Sequence, residues 1–250
     1  MRKTDIQGSI QEAAALIRKS KYMIAFTGAG ISVESGVPSF RGEGGVWGSY
    51  DERHLELGFF LREPEIAWKT IRELFYKFTL DVKPNRAHEI LASWEKQGML
   101  KLVITQNIDG LHTRAGTEKL AEFHGSCNSL VCLRCSRSYR AEKELLDAMP
   151  PRCSCGGILK PDFVFFGEGI PEKPYSLSFD ASNKADLCLV IGSTGLVYPA
   201  AAIPGTVKAR GGKVIEINPE PSEFSGRISD VFIPLGASKA MEAMDKELRE

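Results

Sequence analysis

Five short apolar runs leave this chain few ways to fold. They are residues 21–26 (KYMIAF), 101–105 (KLVIT), 186–192 (DLCLVIG), 213–218 (KVIEIN) and 231–235 (VFIPL), and each stops at a glycine or a polar turn. Runs of this length rich in Val, Ile and Leu read as strands buried on both faces, which belong to parallel sheets. Helical spacing fills the intervals at 9–19, at 64–78 with Trp68, Ile71, Phe75 and Phe78 on one face, at 84–96 with Ala87, Leu91 and Trp94 aligned, and at 237–249. The alternation predicts an α/β fold, a Rossmann-like parallel sheet with helices on both faces, whose ligands bind at the carboxyl ends of the strands.

Two stretches interrupt that rhythm. Residues 42–100 are largely helical and follow the glycine-rich segment 41–45, and residues 127–160 hold most of the cysteines. Both read as parts of a small inserted module of helices and a metal ribbon, leaving 1–41, 101–126 and 161–250 to the sheet domain. At 250 residues the chain can bury its core without staples. Its 32 basic residues balance 32 acidic ones, so bulk charge recruits neither nucleic acid nor an anionic membrane. The N-terminal apolar residues are spaced as in an amphipathic helix and not as in a signal core, and no run approaches the roughly 18 residues of a membrane span. A cytoplasmic protein without direct nucleic-acid or membrane partners is expected.

Five of the six cysteines fall within one 29-residue stretch, 127–155. Clustering of this kind, with no secretory signal, favours metal over disulfides. Cys132-x2-Cys135, then 17 residues, then Cys153-x-Cys155 offers four thiolates in two tight pairs, enough to close a tetrahedral zinc site with no open position. Such a site is structural. Cys127 and Cys188 are left out of the ligand set, and reduced structural cysteines are the alternative reading of all six.

The first run opens into Gly28-Ala29-Gly30-Ile31-Ser32, a turn that lets backbone approach a ligand and offers helix N-terminal amides to a pyrophosphate. Val33 replaces the third glycine of GxGxxG and no strand-end acid follows about 20 residues on, so the hydride-transfer fingerprint is incomplete. A purely structural turn accounts for the same residues. Residues 36–42 (GVPSFRG) suit a mobile loop closing over a phosphate-bearing ligand, or a solvated loop. Residues 105–112 (TQNIDGLH) deliver several polar side chains where a strand ends, although Asn, Asp and Gly also make turns. His124, between Phe123 and Gly125, has the ordinary pKa of a general base near neutrality, and a structural histidine is the alternative.

In the order GAGIS, ESGVPSFRG, TQNIDGLH, FHGS, paired cysteines, FGE, GST and IN, the chain resembles the sirtuin family from about residue 20 to about residue 220. The resemblance implies NAD as a consumed cosubstrate and one structural Zn2+. It implies that Gly28, Ala29, Gly30, Ile31, Ser32, Pro38, Phe40, Arg41 and Trp47 line the NAD site, with Gln106, Asn107, Ile108 and Asp109 at the nicotinamide and its ribose. Gly192, Ser193, Thr194, Asn218, Pro219, Glu220 and Ala237 complete that site. Val164, Phe165, Phe166, Gly167 and Glu168 pair their backbone with an acyl-lysine peptide. His124, Asn107 and Asp109 are implied as catalytic. In the implied reaction the acyl oxygen attacks C1′ of the nicotinamide ribose and expels nicotinamide. His124 then deprotonates a ribose hydroxyl that attacks the resulting imidate carbon, giving lysine and O-acyl-ADP-ribose.

The expected activity is therefore NAD-dependent lysine deacetylation of protein substrates. Mono-ADP-ribosyl transfer or long-chain deacylation on the same site, and a non-enzymatic zinc-ribbon binding module, are the competing readings. Ser193-Thr194 inverts the family's usual order, and Gly195 stands where a leucine is common. Ile71 and Leu74 occupy the positions of the Tyr-x-x-Arg pair by which some relatives accept acidic acyl chains, so neutral acyl groups are expected.

Overall fold

The computed structural model describes residues 5–38, 50–77 and 81–250. Its strands in chain order are β1 (Met23–Thr27), β2 (Leu100–Thr105), β3 (Leu120–Glu122), β4 (Gly125–Cys132), β5 (Ser138–Arg140), β6 (Leu159–Phe163), β7 (Leu187–Ile191), β8 (Lys213–Ile217) and β9 (Val231–Ile233). Six of them form one parallel sheet in the order β3-β2-β1-β7-β8-β9. This is the sheet expected from the five apolar runs, extended by β3, whose three residues Leu-Ala-Glu are too few to make a run.

Alternation along each strand splits the core in two. Met23 and Ala25 face Val103, Leu189 and Ile215 under the helices Ile6–Lys19, Arg86–Lys96 and Ala237–Arg249. Ile24 and Phe26 face the other way with Ile104, Cys188, Val190 and Val214, under the helices Glu172–Lys184 and Ala202–Ala209. Those last two helices escape the sequence pattern for a physical reason. The first buries only Ser178, Ala181 and Ser182, and the second holds Pro204 and Gly205, so neither shows a strong apolar stripe.

A third apolar cluster joins the helical residues Leu55, Phe60, Trp68 and Ile71 to Leu130, Leu159, Phe163 and Phe165 of the cysteine-bearing region. There β4 pairs antiparallel with β5 and β6. Trp68 links the two segments: its ring is fully buried and its Nε1 donates to the Leu159 carbonyl at 2.9 Å. The Arg86–Lys96 helix falls inside the 42–100 stretch read as insertion, yet Ala87, Ile90, Leu91 and Trp94 pack in the first core of the main sheet. Among the described residues, no helix is long and apolar enough to cross a membrane.

Register positions the site. Thr27 pairs with Thr105 and Ile191, Thr105 with Glu122, Ile191 with Ile217, and Ile217 with Ile233, so all six carboxyl ends stand in one row. The residues just beyond that row are Gly28, Gln106, Phe123, Gly192 and Asn218. The strand order reverses between β1 and β7, which is where ligands lie in open α/β sheets.

Candidate active site and metal centre

The turn after β1 is the hub of this edge. Gly28 and Gly30 donate their amides to the carbonyls of Ile191 and Gly192 at 3.0 and 2.9 Å. A Cβ on Gly28 would lie 2.7 Å from the Gly192 oxygen, and one on Gly30 would lie 2.6 Å from the Gly192 Cα. The glycines of the turn are thus required by its contact with the end of β7, a demand the sequence reading had assigned to a ligand. The short 3-10 helix Ala29–Ser35 then carries Ser32 inward, where its side chain is fully buried.

Ser32 joins the two polar residues that follow β2. Its Oγ donates to Asp109 Oδ2 at 2.7 Å and accepts from Asn107 Nδ2 at 3.2 Å. The same amide nitrogen donates to the Gly28 carbonyl at 3.2 Å, which uses both its protons and leaves Oδ1 as the polar atom Asn107 can offer a ligand. Burial pushes the Asp109 carboxyl up, against the pull of the Leu111 amide, the Ser32 hydroxyl and Arg114. Ile108 packs toward the third core and receives the Cys127 amide on its carbonyl.

His124 follows β3 and is half-buried. Its Nδ1 lies 3.0 Å from the Gln106 carbonyl, which can only accept, so Nδ1 carries the proton and Nε2 keeps a lone pair. Burial lowers its pKa, partly countered by that hydrogen bond, so the ring is neutral near neutrality. Gln106 turns its side-chain amide the other way and donates to Ser193 Oγ at 2.9 Å. The Ser193 carbonyl in turn receives Asn218 Nδ2 at 3.1 Å. Asn107, Asp109, His124, Ser193 and Asn218 therefore belong to one connected edge.

Other residues named from the sequence sit around it. Pro38 is half-buried, Thr194, Pro219 and Glu220 are exposed, and Ala237 is buried at the start of the C-terminal helix, next to Ser238, whose amide reaches Glu34 of the turn at 3.3 Å. Gly195 has φ +76° and the Phe224 ring fills its neighbourhood at 3.0 Å, so no larger side chain fits there. Phe40, Arg41, Trp47 and Phe78 lie outside the described residues.

In the 164–168 segment the Val164 amide donates to the His124 carbonyl, Phe165 to Glu168 Oε2, and Phe166 to Leu55. Gly167, at φ +80°, is the residue whose amide has no partner among the described residues. Lys160, unremarked in the sequence, locks this segment: its buried Nζ donates to Glu168 Oε2 at 3.0 Å and to the Phe163 carbonyl at 2.9 Å, and stands 4.7 Å from the Phe165 ring centre. Beneath β1 and β2, His112 Nε2 lies 2.9 Å from Thr27 Oγ1 and its ring meets that of His88 at 4.8 Å. Burial holds both imidazoles low, His88 at about 4. His88 is visible in sequence only as part of a helix start, where Asn85 caps the Arg86–Lys96 helix.

The four predicted thiols converge. All four sulfurs of Cys132, Cys135, Cys153 and Cys155 lie within 4.8 Å of one another, with close pairs at 3.5 and 3.6 Å. Zn–S bonds of about 2.3 Å in a tetrahedron require S···S edges of about 3.8 Å, so the donor set fits zinc. Amides of Arg134 and Cys155 point at the Cys132 and Cys153 sulfurs, both at 3.4 Å, and a Cβ on Gly157 would strike the Cys132 sulfur at 2.7 Å. Cys127 and Cys188 are buried elsewhere.

Comparison with known proteins bears on this edge directly. A profile described as the Sir2 family matches residues 28–199. The NAD-dependent protein deacylase of Pyrococcus furiosus is 44% identical over 95% of this chain and 97% of its own length. The NAD-dependent protein deacetylase of Sulfurisphaera tokodaii is 41% identical over 87% of each. Among solved structures, a Sir2 protein with a deacetylated peptide and 3′-O-acetyl-ADP-ribose superposes with a TM-score of 0.90 at 34% identity, covering 95% of this chain and 98% of that one. A Sir2 homologue in complex with NAD superposes with a TM-score of 0.87 at 37% identity, covering 96% and 93%. The matched profile spans the glycine turn, the Asn107–Asp109 loop, His124 and the four thiols, and the relatives extend the likeness to nearly the whole chain, so the protein belongs to the Sir2 family.

Proposed function

We propose that this protein is an NAD-dependent protein-lysine deacetylase, with His124 as general base, Asn107 and Asp109 as its catalytic partners and NAD as consumed cosubstrate. One observation carries the reading. A neutral imidazole with Nε2 unprotonated stands on the same carboxyl edge as the buried Asn107–Ser32–Asp109 group, at the point where the strand order reverses. The names of the close relatives support the cosubstrate and the acyl-lysine substrate.

NAD supplies an activated ribose carbon to which the acyl oxygen adds as nicotinamide leaves. The residues of this chain then have distinct tasks. Asn107 offers an acceptor oxygen to a ribose hydroxyl, because both its amide protons are already engaged. His124 Nε2 takes a proton from the hydroxyl that receives the acyl group, and the positive charge that results is stabilised through Nδ1 by the Gln106 carbonyl. Asp109 is held by Ser32 and the Leu111 amide, and its buried carboxyl suits the carboxamide of nicotinamide. Gly167 supplies the amide for strand addition by the peptide. The four-thiolate zinc site has no open position and serves structure alone.

Ile71 and Leu74 lie in the apolar third core, which offers a carboxylate no partner and supports preference for neutral acyl chains. Under this reading the small domain comprises residues 42–85 and 127–160, a limit drawn from the core in which the Arg86–Lys96 helix packs. Thiolates kept for metal and a balanced charge support a reducing, cytoplasmic setting and protein rather than nucleic-acid substrates.

The test is mass spectrometry of an acetyl-lysine peptide with and without NAD. Loss of acetyl with equimolar nicotinamide and O-acetyl-ADP-ribose, only when NAD is present, is the expected result. His124→Ala should abolish it with zinc content and unfolding temperature intact. Turnover retained in that variant would remove His124 from the mechanism.

A further inference from the structure

Glu216 is a carboxylate in the middle of an otherwise apolar strand, and it is fully buried. It takes no part in the reaction described above. Three serine hydroxyls converge on it: Ser222, Ser225 at 2.8 and 2.9 Å, and Ser229 at 2.6 Å. These serines belong to the loop that leaves β8, and the loop closes on itself around the carboxylate, with the Ser222 amide donating to Ser225 Oγ at 2.9 Å. A fourth donor is Asn218 Nδ2, at 3.2 Å from Glu216 Oε1.

The last contact fixes the sense of the Asn218 amide. Its nitrogen faces the Ser193 carbonyl and the Glu216 carboxylate, two groups that only accept, so both N–H bonds are spent. What Asn218 has left is Oδ1, to which no donor is directed among the described residues. Asn218 stands just past the end of β8. A dinucleotide laid across the β1/β7 reversal with its reacting ribose near Asn107 and His124, over β2 and β3, extends its other ribose toward β8. Asn218 therefore meets that second ribose with an acceptor, backed by a buried carboxylate.

A free ribose hydroxyl can donate to this oxygen. A 2′-phosphate presents acceptors only, and its charge approaches that of Glu216 with no cation between them: Arg227, the base of this loop, is paired with Glu223 at 3.0 Å. We propose that Glu216, acting through Asn218, is the positioning residue that makes the site select a dinucleotide with free adenosine-ribose hydroxyls over its 2′-phosphorylated counterpart. The inference rests on the NAD reading above.

Two measurements test it on the full chain. The first is binding of ADP-ribose and of 2′-phospho-ADP-ribose to the unaltered protein by calorimetry. ADP-ribose should bind about a hundredfold more tightly or better, the scale expected when a buried acceptor is left facing another acceptor. Equal affinities overturn the proposal while leaving the NAD reading intact, whereas binding of neither ligand overturns that reading and the proposal with it. The second is nicotinamide release with NAD and with NADP, using Glu216→Met, which removes the acceptor, and Glu216→Gln, which retains one. The Met variant should lower the NAD/NADP ratio of kcat/KM by roughly tenfold or more, with the loss falling on KM for NAD, and Gln should restore the ratio to within about threefold of the parent. A residue that merely staples the loop would leave the ratio unmoved, and that result in a folded Met variant sinks the proposal. If the Met variant does not fold, the binding comparison decides alone.

Discussion

A histidine gains a function from what holds its ring. The Gln106 carbonyl takes the Nδ1 proton of His124, burial disfavours the imidazolium, and the two together present a neutral Nε2 at the edge where the ribose is expected. Because the folded pKa lies below the ordinary value of about 6.5, the active base form persists to lower pH than a free imidazole would allow. The acidic limb of kcat/KM for deacetylation should therefore fall below pH 6.5, and a limb at pH 7 or higher would contradict that assignment. Sequence alone named His124, Asn107 and Asp109, because each stands in a compact polar motif at the end of an apolar run. It passed over Glu216 and Lys160. Glu216 is one charge inside a strand whose satisfying serines lie 6 to 13 residues away, and Lys160 acquires meaning only when β6 and the following loop bring Glu168 back to it.

Elements stand or fall by what they share. Trp68 is common property of the helical segment and the cysteine-bearing sheet, so the zinc site supports a core much larger than its own knuckles. Cys132→Ala should abolish stoichiometric zinc and lower the unfolding temperature of the whole protein, because metal binding and folding of this region are coupled. Unchanged metal content and melting would show that the thiols are not a zinc site. Lys160 and Glu168 form a pair at 3.0 Å that is mostly out of solvent, and Glu168 in turn takes the Phe165 amide. Lys160→Met leaves that carboxylate unpaired, which typically costs about 3 kcal/mol or more, and loosens the segment beside the substrate. A several-fold rise in KM for the acetyl peptide with KM for NAD little changed is the expected kinetic signature. The helices the sequence did not reveal, Glu172–Lys184 and Ala202–Ala209, bury small residues or contain Pro and Gly, so their packing leaves almost no periodic trace.

At the scale of the whole molecule, buried neutral histidines make stability depend on pH. His88 sits at about 4 in the folded chain and near 6.5 when unfolded. Its contribution is complete above pH 6.5 and is lost as pH falls toward 4, where the unfolded chain binds a proton that the folded chain refuses; the full span is on the order of 3 kcal/mol. Denaturant titrations at pH 7 and 4.5 should show a steeper loss for the parent protein than for His88→Gln, and parallel losses would refute the assignment. The row of strand ends has a consequence for chain length itself. Each strand acts as a ruler measured from the far side of the sheet, so deleting one residue within β1, β2 or β8 exchanges its two side-chain faces and draws its loop back by about 3.3 Å. Insertions are free to accumulate only at the amino-terminal edge, in turns such as those at Gly98 and Gly211, which have open space around them. The enzyme can lengthen at its base but not at its working rim.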